Sequence, residues 1–233
     1  MVIVDARRRL IDLNHVVTDG LITYPGLPAP VISEHLSRQD SRSRYAPGVE
    51  FSIGKIEIIA NTGTYLDSPF HRYTDGQDLA QLPLERVADL EGVVLRTNIS
   101  GRALTAAAAA RAISAATFRD LDVRGKAVLV QTGWDRHWGT EKYGEGHPFL
   151  TADAAGYLID SGAALVGIDS LNIDDTADLH RPSHSGLLKA GIPIVEHLRG
   201  LDQLPETGFR FFAVPVRVAG FGSFPVRAFA MVS

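Results

Sequence analysis

Residues 61–71 read NTGTYLDSPFH. Asp67 and His71 flank Pro69 there, straight after the apolar run KIEIIA. A loop that only has to turn needs Gly63 and Pro69, but it has no need of an acid and an imidazole. On an extended segment Asn61, Tyr65 and Asp67 share parity, so they can point to one side before Pro69 interrupts the ladder. Carboxylate oxygen and imidazole nitrogen are both good ligands for Zn or Mn, and the same pair can serve as a general base and its orienting partner. The residues alone also allow a plainer arrangement, with Asp67 capping the proline turn and His71 on the surface.

Two further groups carry chemistry. His184 opens the segment HSGLLKAG, and Glu196 lies in the apolar run IPIVEHL just beyond it. If the first is a helix and the second a strand, the short interval lets the helix pack back and bring the two side chains together. GIDSLNIDD (167–175) follows an apolar strand candidate, where α/β sheets usually place ligand contacts. Asp169, Asn172 and Asp174 are candidates there, although Asx-rich turns have the same composition. His15, in LNHVV, is placed to face a pocket from the first strand, whereas His137 and His147 flank WGTEKYG and its continuation, read as a loop over the domain. His35, His180 and His197 carry no partner signal. Gly-rich phosphate loops, a G-x-S-x-G elbow and an H-E-x-x-H helix are all absent from the sequence.

The elements that must position these groups are legible as patterns. Strands are expected at 10–17, 51–60, 126–133, 163–169, 192–198, 209–220 and 224–232, from apolar or alternating runs bounded by turn residues. Helices are expected at 105–118, an alanine-rich run with Thr105 as cap, at 151–162 ending on Gly162, and at 184–191. SRQDSRSRYAPG (37–48) reads as an exposed loop. Strands outnumber helices and some follow one another directly, which favours a mixed α/β or barrel-like sheet over a strictly alternating parallel one.

Composition sets the outer bounds. A chain of 233 residues with 45% hydrophobic residues can bury a substantial core, and neither a repeat nor a linker divides it, so residues 1–233 are read as a single domain. The net charge of -4 and the scattered basic residues give no footprint for nucleic acid. The absence of Cys excludes disulfides, thiolate metal sites and a cysteine nucleophile. No apolar run reaches the length of a membrane span, and the three arginines at 7–9 are not followed by a signal-type apolar stretch, so a cytoplasmic protein is expected.

Taken with their order, these pieces resemble the cyclase family of metal-dependent hydrolases, which includes bacterial kynurenine formamidase and isatin hydrolase. The family signature H-x-G-T-H-x-D-x-P-x-H stands here as N-T-G-T-Y-L-D-S-P-F-H. LIDLNHVVTDGLITYPG looks like the family's opening, and VLVQTGWDRHWG with GHPFLTADAAGYLIDSGAALVGIDSLNID like its centre. HSGLLKAGIPIVEHL and FAVPVRVAGFGSFPVRAFAM look like its close. The resemblance implies a swivelling β/β/α fold, one mixed, partly barrel-like sheet flanked by helices, in a homodimer or homotetramer. It maps the metal-binding aspartate to Asp67, the catalytic histidine to His71 and the later pair to His184 and Glu196. The signature's other two metal histidines are replaced by Asn61 and Tyr65.

Asp67, His184 and Glu196 still make three protein ligands, the number a catalytic Zn site keeps while leaving room for water; two carboxylates with one imidazole make Mn or Mg candidates beside Zn. His71 would be the general base, Tyr65 a donor to a substrate carbonyl or oxyanion, and Asn61 either a second hydrogen bond to the substrate or a group that orients Tyr65. Tyr24, Trp134, Trp138 and Phe70 are candidates for the pocket wall. The expected reaction is amide or lactam hydrolysis of a small cyclic or aromatic carbonyl compound, or the reverse ring closure. The alternatives are a metal-independent cyclase or dehydratase with Tyr65 and His71 as acid and base, and a non-catalytic small-molecule binder.

Overall fold

The structure, a computed structural model, describes residues 8–97 and 108–232. Its frame is a nine-stranded mixed sheet in the order β1-β13-β11-β5-β7-β9-β10-β4-β12. The central strands are β5 (Leu90–Arg96), β7 (Ala127–Gln131), β9 (Leu165–Ile168) and β10 (Ile194–Glu196), and they run parallel. On one side β11 (Phe209–Phe212), β13 (Phe229–Val232) and β1 (Arg9–Asp12) add antiparallel. On the other, β4 (Tyr65–Asp67) pairs antiparallel with both β10 and β12 (Ser223–Pro225). Two small sheets complete the set, a ribbon of β2 (Val31–Leu36) with β3 (Ile53–Glu57), and β6 (Ala112–Ile113) with β8 (Phe149–Leu150).

The central strands are apolar on both faces because both faces are covered. In β7, Ala127 and Leu129 enter one hydrophobic cluster while Val128 and Val130 enter the other. The second cluster is closed by the helices α3 (Ala152–Asp160) and α4 (Pro182–Lys189), through Ala154, Ala155, Leu158, Leu187 and Leu188. The first is closed by the sheet itself. Ile11 of β1 and Ala230 of β13 share it with Leu66 of β4, from the far end of the strand order. Seven strand spacings of about 4.8 Å separate β1 from β4 and would hold them roughly 34 Å apart in a flat sheet. They meet because the sheet curls into a half-barrel. The segment after β1 stitches the closure: Leu13 N–H donates to Ala228, Leu13 accepts from Arg199, and His15 N–H donates to the Thr64 hydroxyl.

That closure explains several departures from the expected elements. The 10–17 run leaves the sheet after Asp12 in order to cross it. The apolar run 224–232 is two strands, with β12 pairing β4 and β13 pairing β11 and β1. The run 209–220 ends as a strand at Phe212, short of Pro215. The expected strand 51–60 is only β3, in the separate ribbon. In the alanine-rich run Thr105 lies outside the described residues; helix α2 (Ala108–Arg111) stops where Ala112–Ile113 pairs with β8, so tertiary pairing overrides helix propensity. In the run 37–48, Ser37 caps a single-turn helix α1 (Arg38–Ser41) by accepting from Asp40 N–H at 3.1 Å. Strand β5 carried no signal singled out beforehand.

No helix among the described residues is long and apolar enough to cross a membrane.

Candidate active site

The register of β4 builds the site. Tyr65 lies opposite Glu196 of β10, and Asp67 lies opposite Ser223 of β12. With a period of two, Tyr65 and Asp67 face the same way, so these four side chains share one surface of the sheet. From above, α4 brings His184, and the loop after β9 brings Asn172 and Asp174.

At the centre, His184 Nε2 stands 3.6 Å from both Asp67 Oδ2 and Glu196 Oε1, and all three residues are buried. Their ligand atoms lie within 4.8 Å of one another. The distances are too long for good hydrogen bonds. Asp67 Oδ2 is buried with no hydrogen-bond donor of its own. An orphaned carboxylate oxygen facing an imidazole nitrogen and a second carboxylate suits a small divalent cation.

Each of the three side chains is held from behind. Asp174 Oδ2 accepts from His184 Nδ1 at 2.7 Å and from His184 N–H at 3.0 Å, while its Oδ1 accepts from Ser183 N–H at 2.6 Å. One carboxylate thus caps the first turn of α4 and fixes the imidazole with Nε2 inward, the arrangement metal-binding histidines usually have. Glu196 Oε1 accepts from Ile173 N–H at 2.7 Å, and Oε2 accepts a short bond from the Tyr65 hydroxyl. The Tyr24 hydroxyl lies 3.0 Å from Tyr65 and 2.6 Å from the Leu171 carbonyl, and accepts from Asn172 Nδ2 at 3.1 Å. Ser223 donates to Asp67 Oδ1, so its oxygen accepts from His71 Nδ1 at 2.8 Å. This aims His71 with a proton on Nδ1.

The electrostatics follow from burial. Burial alone would lower the His184 pKa, but Glu196, Asp174 and Asp67 carry it up to about 10. Burial raises the Glu196 carboxyl, with the His184 charge working against it. Burial beside Glu196 holds the Tyr65 and Tyr24 phenols well above their ordinary value, so both remain proton donors. Asp174 is pushed up by burial and pulled further down by the hydrogen bonds and charge of His184.

A pocket of about 360 Å³ opens over this centre, lined by Asn61, Tyr65, His71 and His184 together with Tyr24 and Asn172. Tyr24 therefore forms part of the wall. Trp134, Trp138 and Phe70 do not line it: Trp134 packs with Tyr143 and Leu171, and Trp138 stacks on His15 at 3.9 Å. His15 is buried against that ring and borders a different cavity, on the Arg9 and Arg227 side. Of the polar group after β9, Asn172 and Asp174 reach the site. Asp169 instead accepts from Thr132 N–H and Gly133 N–H, each at 2.8 Å, tying the ends of β7 and β9 together; burial raises its pKa to about 7 against those bonds. His197, expected without a partner, is fully buried with Nδ1 2.8 Å from the Tyr143 hydroxyl, and His180 pairs with Asp178 at 3.0 Å. The segment after Trp134 forms two 3₁₀ turns that bury Tyr143, and His147 beyond them is buried too. Ser223 was not foreseen; it lies just before the apolar run 224–232, outside every residue singled out, and enters the site because β12 begins at Ser223 and pairs with β4.

The sequence matches the family model described as "Putative cyclase" over residues 11–175. Similarity to individual relatives extends past that match, across His184 and Glu196. A kynurenine formamidase of Bacillus cereus is 25% identical over 219 residues, covering 94% of this chain and 95% of that protein. A kynurenine formamidase of Bacillus anthracis is 25% identical over 220 residues with the same coverage. An isatin hydrolase bound to the product analogue thioisatinate has the same fold, with a TM-score of 0.80 at 22% identity over 97% of this chain and 93% of that one. Isatin hydrolase A from Labrenzia aggregata, bound to benzyl benzoate, gives 0.81 at 22% identity over 99% and 96%.

Proposed function

Since the chain belongs to the cyclase family, we propose that it is a metal-dependent hydrolase of a small cyclic or aromatic carbonyl compound, opening an amide or lactam or closing one in reverse. The observation that carries this is the buried convergence of Asp67 Oδ2, His184 Nε2 and Glu196 Oε1, with the aspartate oxygen lacking any donor. Those three residues would hold one divalent ion, Zn or Mn. Such an ion would polarise the carbonyl and lower the pKa of a water towards ~7.

The chain's own groups would do the rest. His71, with Nδ1 held by Ser223, presents Nε2 to the pocket as general base and returns the proton to the leaving nitrogen. Ser223 joins that base to Asp67. Asn61 lines the pocket as a hydrogen-bond donor for the substrate carbonyl. Tyr65 takes a different part from the one its position first suggested. Its single proton goes to Glu196, so its role is to orient that carboxylate and supply a wall of the pocket. A homodimer or homotetramer belongs to the same reading; the β2–β3 ribbon exposes Val31, Ile32, Ile53 and Ile56, and light scattering would measure the assembly.

The test is the metal content of protein purified without chelator or added metal, by elemental mass spectrometry. About one ion per chain, lost in Asp67→Ala together with formamidase or lactamase turnover, is expected. A site that stays empty under added Zn and Mn would overturn the reading. Two features favour a second reading in that event: Tyr65 stands where the family signature has a ligand, and His184 carried to about 10 is itself a cation between the acids. Metal-independent proton transfer by His71 and His184 would then be indifferent to chelator and lost in His71→Ala.

A further inference from the structure

Beside the acidic centre, the same pocket is lined by two arginines, Arg72 and Arg181. Neither guanidinium meets a carboxylate among the described residues. Arg181 Nη1 donates to Asn172 Oδ1 at 3.3 Å, and Arg72 lies over the Tyr73 ring at 5.4 Å. The tether places Arg181 at a definite remove from the reacting end: Asn172 donates to Tyr24, and Tyr24 contacts Glu196 at 3.2 Å. Most N–H donors of the guanidinium are left for something else.

The backbone supports a selected side chain at this point. Arg181 has φ 49 and ψ 59, the left-handed region, directly before Pro182. Glycine would adopt this conformation at less cost, and the residue before a proline is disfavoured in helical regions. An arginine held there against its backbone preference is expected where its side chain has work to do. The helix terminus beside it is not the attraction, because Asp174 already accepts from the N–H groups of Ser183 and His184. A divalent ion at the centre would balance Asp67 and Glu196, leaving the arginines to set the sign of the pocket.

We propose that Arg181, assisted by Arg72, recognises a carboxylate on the substrate, so that the compound turned over is an anion with its reacting carbonyl towards His71 and its carboxylate towards the guanidinium. The proposal rests on the hydrolase reading for the reacting end and on the arginines for the other. A planar guanidinium suits a carboxylate because it can donate two parallel hydrogen bonds.

The test is calorimetric titration of the purified protein with phenylacetate and with phenylacetamide, which match in shape and differ in charge. Wild type is expected to bind the anion about tenfold more tightly, the scale of one charge-assisted hydrogen bond. That ratio should fall to about one in Arg181→Gln, return in part in Arg181→Lys, and shrink less in Arg72→Gln. Arg181→Gly, which relieves the backbone, must lose the ratio as well, which separates recognition from misfolding. A wild-type ratio near one would overturn the proposal. So would a ratio unchanged in Arg181→Gln and Arg181→Gly but lost in Asp67→Asn, since the carboxylate would then be held at the acidic centre. A ratio lost with Arg181 in protein that takes up no metal would sustain the anion site while the hydrolase reading fell.

Discussion

At Ser223 the hydroxyl proton can go only one way. Asp67 is an acceptor, so His71 must donate to the serine oxygen, and the imidazole is thereby aimed. Ser223→Ala is expected to lower kcat about tenfold or more with little change in KM, and Ser223→Thr should recover much of the loss; steady-state kinetics with the best formamide or lactam found would show it. Asp174 has the corresponding part for His184. Asp174→Asn should weaken metal affinity by about 10- to 100-fold, measured by competition with a chelator. An unchanged affinity would mean that α4 alone orients the ring. Asp67, His71, His184 and Glu196 were reached from the sequence through the family resemblance, because their own types and spacing left capping and surface roles open; the structure brings Asp67, His184 and Glu196 together. Ser223 was not legible, because a serine acquires this role only through a neighbour 156 residues away.

Among the elements, β4 and the Pro69–His71 turn are fixed by close approach. A Cβ on Gly222 would lie 2.4 Å from His71 N and 2.5 Å from its Cα, so the turn carrying His71 would have to move. Gly222→Ala should cost about 1–3 kcal/mol by denaturant unfolding and most of the activity. Gly156, within α3, meets nothing within 4 Å, so Gly156→Ala should stabilise by roughly 0.5–1 kcal/mol and leave activity unchanged. Three of the four central strands, β7, β9 and β10, were readable as strands because runs such as AVLVQ and LVGI are apolar on both faces, whereas β5 and the parallel pairing were not. The ends were not, since an apolar run such as 224–232 does not reveal that its halves join opposite edges of a curled sheet. Periodicity reports burial, and closure is set by partners remote in the chain.

For the molecule as a whole, buried imidazoles set the acid limit. Burial lowers the His15 pKa to about 3, and burial also lowers His147. A depressed folded value means that stability is fully present above the unfolded pKa of about 6.5 and is lost as pH falls towards the folded value. His15→Phe keeps a ring against Trp138 and removes the titration. Between pH 7.5 and 5.5 the stability difference should move in favour of the variant by about 1.4 kcal/mol, read from urea midpoints; a pH-independent difference would refute it. The position of β4 between β10 and β12 has a further consequence, in time rather than space. The strand bearing Tyr65 and Asp67 emerges early in synthesis, yet its two flanking strands are made much later, and long-range pairings of this kind form slowly. The candidate site is therefore assembled only after the sheet has closed. In refolding from denaturant, helix signal should return before any ion can be captured, and a half-folded chain should have no means of attacking a substrate.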